Sequence, residues 1–318
     1  MKYVHKLLIT AAIVCPLLIF SASLKSFAQT PTDLDFVPAR NLCPAVNYSY
    51  SSWSKYWQGE TLVENGNVGR ATTQKVALGF NFGILDRLNF IAMLPYVFTS
   101  TSQGTLNGQK GLQDISLNLK GDYANLEIGS GHLKIVGDLG FSTPVSSYLV
   151  DFSPLSIGAG TTNWNYRQML AYTFEKGFYV QAKGNYTLRS NIPDIHRDFY
   201  YDDGNSYYGN EVHVYDIFDW SAVVGFSNEH FKAEAVYSAY NTLGGTDIRT
   251  WDAGFATNNV DANAIIGNFE YYFSKPKNLE ISATIGYTVS GRNTGQSGFG
   301  SIGLDYYFPL WHKKEAAE

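Results

Sequence analysis

Charged side chains recur through this chain at every second position of otherwise apolar stretches, and that spacing limits the chemistry open to them. In residues 114–123, Asp114, Ser116, Asn118, Lys120 and Asp122 fall on one side, and Ile115, Leu117, Leu119, Gly121 and Tyr123 on the other. A period of two is a β-strand, so the charges share one face and the apolar residues the opposite face. The same spacing sets Lys75, Lys134, Asp138, Arg167, Lys183, Arg189, Lys232, Glu234, Glu270, Glu280 and Asp305 against apolar faces elsewhere. Rows of both signs facing one interior can select an ion or small solute. They can equally pair with one another and fill that interior.

Other chemistries are poorly supported. Residues 194–211 crowd Asp194, Asp198, Asp202, Asp203 and Glu211 among Phe199, Tyr200, Tyr201, Tyr207 and Tyr208. Oxygen ligands there could hold Ca²⁺, but the spacing is not that of an EF-hand loop. The aromatics could greet a ligand, and an ordinary solvated loop is the default reading. Glu211, His213 and Asp216 form one local acid–histidine grouping, and His132, His196 and His230 stand in turns or loops. No serine has a recognisable nucleophile spacing. The expectation is therefore a protein that is not an enzyme, with no cofactor and no metal.

The strands that must carry these charges are organised around residues 88–123. Leu88, Phe90, Ala92, Leu94, Tyr96 and Phe98 make one apolar face; a polar loop and the 114–123 strand follow. A face this long and apolar, backed by an unbroken polar ladder, suits a transmembrane antiparallel β-barrel, in which one face meets lipid and the other a wet lumen. The alternation predicts about twelve strands, with ten or fourteen as the neighbouring counts. Connections at 84–87, 124–131, 175–177, 228–230 and 274–278 are short, and those between are mostly long. That asymmetry predicts short periplasmic turns, long extracellular loops and periplasmic termini. Twelve strands give a backbone diameter of roughly 25 Å, narrow enough for a small solute.

Residues 1–28 read as a secretory signal peptide: Lys2, His5 and Lys6, an apolar run over 7–20, and Ser26-Phe27-Ala28 before the cut. Residues 29–45 have no strand period and are expected to be a short periplasmic segment, a luminal plug being the other reading. The barrel should then occupy 46–309, with a tail at 310–318. Without Lys2, Lys6 and Lys25 the chain keeps 20 basic against 28 acidic residues, a net charge of −8, which argues against nucleic acid. Cys43 alone remains, so no intrachain disulfide is possible. The 23 Tyr and 20 Phe fit aromatic girdles at both membrane interfaces.

Gly83-Ile84-Leu85-Asp86-Arg87-Leu88, Leu94-Pro95-Tyr96, and Gly111-Leu112-Gln113-Asp114 running into Leu117-Asn118-Leu119-Lys120 resemble the outer-membrane barrel family named after the meta-pathway of phenol degradation. Residues 137–144 look like that family's next strand. The family is loosely similar to the fatty-acid and toluene transporters of Gram-negative bacteria. The resemblance implies uptake of hydrophobic or aromatic compounds.

These readings together predict a monomeric outer-membrane channel or transporter for a small solute, reached by export through the periplasm. Its expected partners are membrane lipid, the solute and the barrel assembly machinery. A structural or adhesion barrel acting through its extracellular loops is the alternative.

Overall fold

The structure, a computed structural model, describes residues 30–193, 195, 199–202, 204–249 and 254–310; the expected signal peptide and residues 311–318 lie outside them. Twelve antiparallel strands close into a barrel. They are β1 (Asn41–Trp53), β2 (Ala71–Leu85), β3 (Leu88–Thr101), β4 (Asp114–Ile128), β5 (Gly131–Pro144) and β6 (Asn163–Thr173). The other six are β7 (Phe178–Arg189), β8 (Ile217–Ser227), β9 (Phe231–Thr242), β10 (Asp261–Tyr272), β11 (Leu279–Arg292) and β12 (Gly298–Tyr306). Each pairs with its neighbours in sequence, and β12 returns to β1 from Ala45↔Asp305 to Ser52↔Gly298. Closure satisfies the edge that an open sheet would expose to hydrocarbon.

The outside of the wall is apolar. Leu78, Leu139, Val224, Ile265 and Ile285 are exposed, whereas in water such residues would be covered. Aromatic rings touch across neighbouring strands near the short turns, as in Phe178–Phe226 at 4.9 Å and Phe226–Phe231 at 5.7 Å. Near the long loops Phe141–Trp164 and Trp220–Tyr237 do the same. These two belts suit the two membrane interfaces.

Two boundaries differ from the sequence reading. β1 begins at Asn41, and it carries Val46, Tyr48 and Tyr50 on its outer face. β4 continues to Ile128, where a turn had been expected from residue 124. A bulge between Asp122 and Ala124 inserts one unpaired residue, Tyr123. The outward set therefore changes from odd to even numbers, and Leu126 and Ile128 join the exposed apolar face. The loops also hold small hairpins, Lys55–Gln58 with Thr61–Glu64 and Phe199–Asp202 with Asn205–Tyr208.

Candidate functional site

Alternation and barrel closure put the charges of β2 to β12 on the face opposite the lipid-facing residues, around one lumen. Within it lies the segment that the sequence reading assigned to the periplasm. Residues 30–40 do not extend away from the barrel; they run inside it, because buried lysines on facing walls take up their carbonyls and carboxylates.

Lys120 of β4, whose side chain is fully buried, is 2.8 Å from Asp33 and donates to the carbonyls of Thr30 and Asp35 at 2.9 and 2.6 Å. Lys134 of β5 donates to the Leu34 carbonyl at 2.5 Å. Both ammonium groups lie over the Phe36 ring, 4.9 and 4.7 Å from its centre. Arg167 of β6 pairs with Asp138 and reaches the Pro31 carbonyl. From the other side, Lys232 of β9 binds Asp35 at 3.0 Å and lies within 4 Å of Glu234 and Glu270. Thr30 donates to Asp33 through its amide and its hydroxyl, and the amide of Asp35 donates to Asp33 too. The segment is thereby folded around its own carboxylate. Burial pushes the Asp33 carboxyl up, but Lys120 and Lys232 outweigh it and hold Asp33 below its ordinary value.

The segment enters at the rim that carries the short turns, the end expected to face the periplasm. The Arg40 amide donates to the Gly83 carbonyl at 2.7 Å, and the Ala39 amide to Asp86 at 2.8 Å. Val37 is buried against Cys43 and Tyr307, and Asn89 donates to its carbonyl. Gly83 is required here: a Cβ at that position would lie 2.1 Å from the Pro38 carbonyl oxygen.

The mouth at the long-loop end, the one expected to be extracellular, is narrowed by the loop at 145–162. Thr99 donates to the Leu155 carbonyl at 2.7 Å, and the Tyr148 hydroxyl donates to Asp114 at 2.5 Å. Burial and the Asp114 carboxylate push the Tyr148 phenol above its usual range, so it stays a neutral donor. The loops at 190–216 and 243–260 join in an apolar cluster of Ile192, Ile195, Tyr200, Val212 and Val214 against Phe255.

Among the described residues, three cavities lie above, beside and below the plug, and neighbouring ones share lining residues. An upper cavity of about 640 Å³ lies beneath residues 156–159. It shares Lys75, Thr284 and Ser301 with a middle cavity of about 310 Å³ beside Thr30, Thr32 and Asp33. The middle one shares Lys232 and Glu234 with a periplasmic cavity of about 470 Å³. The plug's contacts are concentrated on β4 to β6 and β9; the upper and middle cavities follow the wall of β9 to β12 with β1 to β3, and the periplasmic cavity lies beneath Leu34 and Asp35 against β5 to β9.

The remaining candidates occupy distinct places. Asp122 is 3.8 Å from Arg87 at the periplasmic rim. Arg189 donates to the Tyr215 carbonyl at the upper rim. Lys183 and Asp305 line the middle cavity, and Asp305 stands opposite Glu280 in the β11–β12 register. In the long loop, Tyr200 stacks on Tyr207 at 5.2 Å and Tyr215 donates to Asp202 at 3.0 Å. Asp194, His196, Asp198 and Asp203 lie outside the described residues, and for Phe199 and Tyr201 only the backbone is described. No group of three metal-ligating side chains occurs among the described residues. Glu211 and His213 each contact Asn191, while Asp216 binds Tyr186 and Arg189. The acid–histidine grouping does not assemble as a dyad.

The sequence profile of the family described as "Putative MetA-pathway of phenol degradation" matches residues 58–302. The chain belongs to that family. Among solved structures, an outer membrane channel from Pseudomonas putida F1 superposes with a TM-score of 0.69 at 14% identity, over 88% of this chain and 100% of that one. The likeness establishes the shared fold. The NanC porin aligns over 83% of this chain and 98% of that chain at 11% identity, with a TM-score of 0.47. No curated protein matches by sequence.

Proposed function

We propose that this barrel is a channel of the outer membrane that passes a small solute through the cavities around its N-terminal segment. The succession of three cavities with shared lining residues carries this reading. Each holds a few hundred Å³, the scale of a small-molecule site. Passage between them runs by Lys75 above and by Lys232 with Glu234 below. Charges facing one another across such a passage govern which ions or solutes cross. The fold's likeness to an outer membrane channel supports the same role.

In this reading the chain is exported through the periplasm, inserted by the barrel assembly machinery and active as a monomer, since closure leaves no strand edge that needs a partner. It has no catalytic cycle. The family resemblance favours hydrophobic or aromatic solutes.

Single-channel recording of the refolded mature protein in a planar bilayer tests the proposal. Discrete stable steps and a reversal potential in a salt gradient are expected. Silence from demonstrably inserted protein would overturn it.

A further inference from the structure

The upper cavity holds a single charged side chain. Lys120, Lys134, Arg167 and Lys232 are all engaged by the plug or by wall carboxylates. Lys75, like Lys183 of the middle cavity, makes no ion pair or hydrogen bond among the described residues, and Lys75 is the one charged residue among those lining the upper cavity. An ammonium group drawn partly out of water without a partner favours an anion beside it. Thr73 and Ser301 line the same cavity and supply hydroxyl donors, while the Thr284 hydroxyl donates to Asn268 at 3.0 Å.

The cavity also has an apolar side. Val97 and Ile157 are buried there, and Phe299 completes that wall. Phe299 shares its face of β12 with Ser301 and Asp305, so its ring points into the lumen. It lies over Gly286 of β11, where a Cβ would sit 2.3 Å from the ring. The glycine lets the ring lie flat against the wall and leave space in front of it. A cation with hydroxyls on one side and an aromatic, aliphatic surface on the other match a small molecule with the same division.

We propose that the upper cavity is a binding site for small aromatic monocarboxylates, with Lys75 taking the carboxylate and Phe299, Val97 and Ile157 the ring. This rests on the channel reading and names the solute class that would load the path. One free cation selects one negative charge. The position of Lys75, shared with the middle cavity, makes it the point from which the solute is handed downward.

Two independent measurements test this. Titration calorimetry on the refolded, detergent-solubilised protein reads benzoate binding without requiring conduction, and bilayer recording reads transient block of the current by benzoate. Benzoate should bind with one site per barrel, and benzamide, of the same shape without the charge, about tenfold or more weakly. Lys75→Gln should weaken benzoate by a similar factor, and Lys75→Arg should restore it. Ile157→Glu, a change in the loop at 145–162, should abolish binding by placing a carboxylate in the cavity that Lys75 lines. Equal affinity for benzoate and benzamide, or a benzoate affinity unchanged in Lys75→Gln and Ile157→Glu, would overturn the proposal. Benzoate binding in a barrel that never conducts would retain this site and discard the channel reading. Steady conduction that benzoate neither binds nor blocks would do the reverse.

Discussion

Asp33 and Lys120 are 87 residues apart in the chain and meet 2.8 Å apart in the lumen. Their contact converts an N-terminal lead with no secondary structure into a plug. Neither side chain has much access to water, with 0% of Lys120 and 10% of Asp33 exposed. Removing one partner therefore strands the other, at a cost of about 3 to 5 kcal/mol for a buried pair. Lys120→Met should release residues 30–36 rather than unfold the barrel, because only the plug is free to leave. Larger and noisier conductance steps, with unchanged barrel mobility on a cold gel, are the expected result.

Acid should release the plug as well. The folded value of Asp33 lies below its ordinary 3.8. A carboxyl depressed in this way contributes stability that is fully present above the unfolded value and disappears as pH falls through the folded one. Step size should therefore be constant from pH 7 down to about 4 and should rise only at still lower pH. A rise already at pH 5 to 6 would assign control of the plug to some other group.

Gly83→Ala places a methyl group where the Pro38 carbonyl passes, 2.1 Å away. The clash is with backbone on both sides, so the plug's rim anchor must shift. A loss of about 1 to 3 kcal/mol is expected for such overpacking. Protease cleavage within residues 30–40 should become faster while the strands stay protected.

Lys232 lies within 4 Å of Asp35, Glu234 and Glu270. Lys232→Met leaves three carboxylates together at the passage between the middle and periplasmic cavities. The reversal potential in a salt gradient should move toward cation preference. Stability to urea should fall, and Lys232→Arg should recover most of both.

The alternation of residue types by itself determined a twelve-stranded barrel, its lipid face and its charge-bearing face. Lipid and water are the two largest environments a strand can face, and a period of two records which is which in every pair of neighbours. The pattern lost its phase at Tyr123, because a bulge adds a residue with no partner and resets the count. The same logic could not reach residues 30–40. A polar stretch without period looks alike in the periplasm and in a lumen. What separates the two is the convergence of Lys120, Lys134 and Lys232 on its carbonyls and carboxylates, across 85 to 197 residues of sequence. The spacing thus assigned each charge to one face of its strand. Which charges were already occupied by the plug, and that Lys75 and Lys183 were left over, only the closed barrel decided, because pairing depends on distance across the lumen and spacing along a strand carries none of it.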